Sequence, residues 1–287
     1  MRRAIAWMLA LAPALALMGC QSTPRTEPGA RGPAPSYAEI AARYNERVAP
    51  IDALWARATV RVEGRDAEGG RLNDQGEGHL QIEPPNRLAL SLGKLGETHL
   101  YLGSNDEVYW WMELIESDDH PLTFGRHDQA TPAKVAALGV PVHPLDLIDA
   151  TAITPMPEGG GEVAWDEGLL RVTTPVRWGE RTLWLDPDSL EPARVQITDA
   201  GGRIALTADL SRYLTATKQG DATAHVRVAT RYEIRVPDMD ALVRIELFDP
   251  QIKPIRSIAF DMETLARAYK VTRREDLDAP RAAGPDG

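Results

Sequence analysis

The chain has 287 residues, 42 acidic against 32 basic, for a formal net charge of -10. A surface this acidic argues against binding nucleic acid or an anionic membrane by charge. With a single cysteine no internal disulfide can form, so the core must supply the stability.

The N-terminus reads as a lipoprotein signal. Met1-Arg2-Arg3 precedes a largely apolar run from Ala4 to Met18, and Gly19-Cys20 closes it as a lipobox, with Met18 standing where a small residue is usual. The run is shorter than the ~20 residues of a spanning helix and is broken by Pro13. Arg2-Arg3 is not followed by a twin-arginine motif, which leaves the general secretory route. Residues 1–19 are therefore expected to be removed and Cys20 to carry lipid; the competing reading is a buried thiol in an uncleaved signal. Cleavage leaves 30 basic against 42 acidic residues, so membrane attachment has to come from acyl chains, at roughly 0.8 kcal/mol per buried methylene. Gln21 follows the cysteine where an aspartate would favour inner-membrane retention under the enterobacterial rule, so the expected location is the outer membrane, facing the periplasm. Residues 20–35, rich in Pro and Gly, form a flexible tether.

Ser36 opens a helix. With Glu39 it makes a capping box, Tyr37, Ile40, Ala41, Tyr44 and Val48 share one face, and Pro50 limits the element. From Leu54 the period changes to two. Ala56, Ala58, Val60 and Val62 alternate with polar residues, and similar runs recur around Leu80, Leu88, Leu100, Val108, Leu183, Val195, Ile204, Val226 and Val243, separated by turn signals such as Asp166-Glu167-Gly168. Short helices are predicted around Lys134–Leu138, after Pro132, and over Pro144–Ala150. Residues 271–287 are charged and rich in Pro, Gly and Ala, and are expected to fray. The folded domain is placed at 36–270.

A long antiparallel meander with few helices must hide one face. The fold class expected is mainly β: a curved antiparallel half-barrel closed by a helical lid. Such a fold can leave an apolar cavity, and the candidate lining residues are Trp55, Leu90, Leu100, Trp110, Leu138, Leu147 and Trp184; each tryptophan also reads as an ordinary core or surface aromatic. Trp110 and Trp111 must face opposite ways in a strand, so at most one of them lines a cavity.

Three strings carry a resemblance: Arg87 to Leu100 (RLALSLGKLGETHL), Leu138 to Ile148 (LGVPVHPLDLI) and Pro192 to Ile204 (PARVQITDAGGRI). In this order they resemble the family of the outer-membrane lipoprotein receptor LolB and its soluble carrier relative LolA, over most of residues 36–210. The resemblance implies a half-barrel that receives acyl chains of lipids or lipoproteins from a LolA-like carrier and assists their localisation to the outer membrane. It also implies that Leu95, on a protruding loop, acts in membrane insertion; the alternative is a turn residue folded back on the core. Where the carrier has an arginine before a proline, this sequence has Glu83-Pro84-Pro85, which weakens a carrier reading. The role of residues 211–270 lies beyond the resemblance.

There is no Gly-x-Ser-x-Gly elbow, His-Glu-x-x-His or phosphate loop, and lipidation would occupy the one thiol. No enzyme activity, cofactor or metal is expected, Asp118-Asp119-His120 with His127 being the one local cluster. The expected state is a monomer bound to the membrane through Cys20. The alternative from a different class is a structural or adaptor lipoprotein whose half-barrel is filled by its own side chains and binds a protein partner.

Overall fold

A computed structural model describes residues 32–65, 70–115, 119–131, 134 and 142–279. The signal segment, Cys20, most of the tether, Leu138 and all but Lys134 of the helix expected there lie outside the described residues. The chain divides into units 1–33 and 34–287, and the account below concerns the second.

The first helix, α1 (Tyr37–Val48), starts where its cap dictates: the Ser36 hydroxyl accepts from the Glu39 amide at 3.3 Å. Ile40, Ala41, Tyr44 and Val48 form its buried face. The polar atoms on that side tie it to a distant stretch of chain. Tyr44 Oη donates to the Ala152 carbonyl at 2.6 Å, and the Asn45 amide both donates to Met156 O and accepts from Met156 N, at 2.9 and 2.7 Å. That stretch follows the second helix, α2 (Pro144–Ala150), which falls over the predicted residues.

All fourteen described strands join one sheet. The first wing is β1 (Leu54–Arg65), β2 (Arg71–Glu83), β3 (Arg87–Lys94), β4 (Glu97–Ser104), β5 (Val108–Glu113) and β6 (Pro121–Arg126), each antiparallel to the one before. The second wing comprises β7 (Glu162–Asp166), β8 (Leu169–Val176), β9 (Gly179–Leu185), β10 (Pro192–Asp199), β11 (Ile204–Lys218), β12 (Asp221–Val236) and β13 (Ala241–Ile252). It meanders back so that β13 pairs with β1 at the centre, from Leu54 opposite Ile252 to Glu63 opposite Leu242. Residues 211–270 therefore do not append to the half-barrel: β12 and β13 are its middle.

Curvature follows from what α2 touches. It packs against β3 and β4 in one wing and β10 in the other. In a flat sheet β3 and β10, six neighbour steps apart, would lie about 29 Å from each other, whereas a helix with its side chains is only about 10–12 Å across. The sheet must therefore curl around the helix. Its edges, β14 (Arg273–Asp276) and β7, do not pair with each other, so this is an open half-barrel.

The two faces are filled differently. Inward residues such as Leu54, Ala56, Leu80, Ile82, Leu88, Leu183, Val195, Ile234 and Ile245 form one core with Tyr44 of α1 and Leu147 and Ile148 of α2. On the outer face of β1 and the second wing lies an ion-pair lattice: Arg244 bridges Glu63 and Glu233 at 2.7 and 3.5 Å, and Asp209 receives both Arg194 and Arg235, at 2.8 and 2.6 Å. These exposed pairs keep the face wet and add little stability. The outer face of β3 to β6 is apolar instead: Ala89, Tyr101, Trp110, Met112 and Leu122 form a second core with Ala259, Phe260, Met262, Leu265 and Ala266. The covering residues come from a 3-10 turn (Ser257–Phe260) and helix α3 (Met262–Ala268), capped by Asp261 accepting from the Thr264 amide at 3.0 Å.

Order continues beyond residue 270, where the sequence suggests fraying. β14 runs parallel to β6, and Asp278 accepts from the Arg126 amide and pairs with Lys134, both at 2.6 Å. The polar composition of 271–279 reflects an edge strand whose side chains are exposed, not a free tail.

Trp110 is fully buried in the second core while Trp55 is partly exposed on the same face. Trp110→Ala is expected to cost about 4 kcal/mol in urea denaturation and Trp55→Ala about 1 kcal/mol or less.

Candidate functional site

Alternation decides which predicted lining residues reach the inner face. Leu90 and Leu147 belong to the inner core, and Leu100 lines an adjoining groove. The three tryptophans do not. Leu54 and Ala56 point inward, so Trp55 points out, its ring 5.2 Å from that of His79 and 3.6 Å from Lys253 Nζ. Leu183 and Leu185 do the same to Trp184, whose indole donates to Asp166 at 2.8 Å. Trp110 lies under the C-terminal segment, and Gly103 on β4 makes room for it: a Cβ there would fall 2.2 Å from the indole. Of that adjacent pair it is Trp111 that packs on the inner core. Residue size favoured the tryptophans; the parity of the neighbouring aliphatics excluded them.

The described helices do not extend to the β3–β4 hairpin. There the inner face leaves a groove of about 350 Å³ whose apolar wall is Val60, Val62, Leu92, Leu100 and Ile115. Gly76 contributes to the floor by having no side chain: a Cβ would stand 3.1 Å from that of Leu92. At the rim Lys94 Nζ bonds Asp74 at 2.8 Å, and this bond holds the Asp74 carboxyl below its ordinary range. Beside it Leu95 and Gly96 make the two-residue turn, both with positive φ, 55° and 88°. Leu95 is fully exposed, with relative accessibility of 105%. It does not fold back on the core. Holding a leucine in left-handed backbone costs roughly 1–2 kcal/mol, and leaving it in water forgoes about 2 kcal/mol more.

The other end of the inner face carries charged and polar side chains beside apolar ones. A pocket of about 430 Å³ lies between α2, the turn at Pro85-Asn86 and the turn at Arg177-Trp178. On its floor the Arg181 guanidinium is almost fully buried; it bonds Asp149 at 3.1 Å, the Thr154 hydroxyl, and Pro155 O at 3.4 Å. Next to it His143 caps α2, its Nδ1 accepting from the Leu145 amide at 3.2 Å. The His143 ring meets Tyr109 at 4.5 Å, Trp178 at 4.9 Å and His127 at 6.2 Å. Burial, chiefly, pushes both histidines below their ordinary pKa, His143 well below it.

The sequence reading missed this assembly. His127 meets His143 here and His120 Nδ1 lies 2.8 Å from Tyr269 O, while Asp118 of the cluster expected with them lies outside the described residues. Among the described residues no group of three His, Cys, Asp or Glu could hold a metal. The one local signal was the string His143-Pro144 ahead of a helix, Pro being favoured at the first helical position.

No protein-family profile matches the chain, and no curated protein matches its sequence. Solved structures do resemble it in fold. A Vibrio parahaemolyticus domain named for outer membrane lipoprotein sorting superposes with a TM-score of 0.50 at 13% identity, over 79% of this chain and 97% of that one. A LolA superfamily protein from Nitrosomonas europaea gives 0.48 at 12% identity, over 78% and 97%. A DUF1329 family protein from Desulfovibrio piger gives 0.45 at 12%, over 79% and 97%. The fold is LolA-like.

Because Leu95 sits unfavourably in both backbone and solvent, Leu95→Asn is expected to stabilise the domain by about 1 kcal/mol, since asparagine tolerates the left-handed region. Chemical denaturation measures this; a destabilised Leu95→Asn would show that the side chain makes contacts in the folded state.

Proposed function

We propose that this chain is a lipid-anchored envelope lipoprotein that takes acyl chains of lipids or lipoproteins into its inner-face groove and assists their transfer to the outer membrane, in the manner of LolB. The observation that carries the reading is Leu95: a leucine exposed at the tip of a hairpin, in backbone that disfavours it, beside an apolar groove. A side chain kept there against two local costs gains when it enters lipid. Cys20, lipidated, supplies the anchor, and residues 21–35 the reach. Withdrawing a palmitoyl-length chain from water is worth about 12 kcal/mol at the per-methylene value, so a partial apolar enclosure is already worth several.

One observation favours the adaptor alternative. Beneath α1 and α2 the inner face is packed by its own side chains, including Tyr44, Leu147 and Ile148, and the apolar groove lies apart from them at the hairpin end. On that reading the outer surface binds a protein, and a stoichiometric protein would co-purify in place of lipid.

The mature protein is expected to bind a fluorescent fatty-acyl probe, and Gly76→Leu, which fills the groove floor, to weaken that binding at least tenfold. Leu95→Glu is expected to keep probe binding and lose delivery of an acylated peptide to vesicles. Absence of probe binding in the parent protein, or unchanged delivery by Leu95→Glu, would overturn the acyl-transfer reading. Mass spectrometry of protein extracted from membranes tests the anchor: the mature mass should begin at Cys20 and include its acyl chains.

A further inference from the structure

The N-terminal turn of α2 places a buried histidine cap and a half-buried carboxyl group within one helical turn. We propose that this turn is a pH-sensitive latch, which holds α2 against the sheet while His143 is neutral and Asp146 protonated and loosens when either becomes charged. The proposal concerns the lid alone and stands whether or not the groove takes acyl chains.

The hydrogen bonding fixes the protonation state at His143. The Leu145 amide donates to Nδ1, so Nδ1 carries no proton and the neutral ring bears its hydrogen on Nε2, which is buried and has no hydrogen-bond partner among the described residues. A second proton would have to go to Nδ1, opposite the amide hydrogen that it now accepts, and the cap would be lost. The resulting charge would be buried in a ring at 1% exposure, facing Tyr109 from β5, His127 from the chain after β6, and Trp178 with Arg177 from the β8–β9 turn. Among the described residues no carboxylate is a resolved influence on that ring. His127 offers no relief: its Nε2 donates to Asn105 O at 2.8 Å, leaving Nδ1 buried as an unpartnered acceptor, and the Asp106 and Asp128 charges act on that ring only as minor influences.

Asp146 works in the opposite direction. It lies one residue beyond the capped amide, lining the pocket with Asp149 and Arg177. Burial and the Asp149 charge push its carboxyl up to about 7, against the opposing pull of Arg177. Arg181 is already bonded to Asp149 and Thr154.

The signs follow from which form the closed state prefers. His143 is depressed when closed, so its contribution is complete above its ordinary 6.5 and is lost as pH falls below that. Asp146 is raised when closed, so its contribution is present below its ordinary 3.8 and is lost as pH rises through about 7. The two oppose one another in the acidic range, and separating them requires variants.

The test is hydrogen exchange of α2 amides in the mature protein from pH 5 to 8, corrected for intrinsic exchange, with β13 amides as the internal reference. His143→Asn keeps an N-cap acceptor without titrating. The ratio of parent to His143→Asn opening constants is expected to rise as pH falls below 6.5, by up to tenfold per unit for one linked proton. The ratio of parent to Asp146→Asn is expected to rise with pH up to about 7 by the same limit. A ratio independent of pH for both variants, as a purely structural role would give, overturns the proposal. So does a pH dependence shared equally by β13, because the protons would then be linked to global unfolding and not to the lid.

Discussion

Everything in this domain depends on how a single sheet hides its inner face. The strands carry apolar residues inward along both wings, and the described helices available to cover them are 12 and 7 residues long. At 1.5 Å per residue these span about 18 and 10 Å, whereas a 12-residue strand such as β1 runs about 40 Å. Curling brings both wings against α2. It leaves the hairpin end of the inner face, beyond the reach of α1 and α2, as the apolar groove under Leu95.

The outer face shows the same economy of cover. Where nothing packs on it, along β1, β10, β11, β12 and β13, it is a lattice of arginines and carboxylates. Where β3 to β6 carry Tyr101, Trp110, Met112 and Leu122 outward, the chain returns after β13 to cover them with α3 and then pairs β14 with β6. An apolar outer strip without that segment would be an aggregation surface. The C-terminal stretch is therefore part of the fold, and its own outward residues are polar because they form the final layer.

Local physics made much of this legible from the sequence. Ser36 and Glu39 located α1, Pro144 located α2, and the period of two located nearly every strand, because each is a short-range signal with one structural solution. The site was less legible for a physical reason: facing depends on parity. Leu54 and Ala56 fix the direction of Trp55, and Leu183 and Leu185 that of Trp184, so choosing lining residues by size inverted the faces at both positions. The central placement of β13, the pairing of Arg181 with Asp149 and the meeting of His127 with His143 are contacts between distant segments. No periodicity announces them.

The two ends of the inner face divide the work between exposure and enclosure. On β3 and β4 the pairs run from Lys94 opposite Glu97, at the tip, to Leu88 opposite Ser104 at the other end. That is six residues, or about 20 Å of strand. At the tip the energetic cost is a leucine held in water, which only another phase can remove. At the other end it is a histidine cap whose burial disfavours a charge on the ring. Between the two ends the inner face is filled by its own side chains, so the groove at the tip stops where the packed core begins. The helix α2 bridges β3, β4 and β10, so it cannot shift without altering the inner surface of both wings.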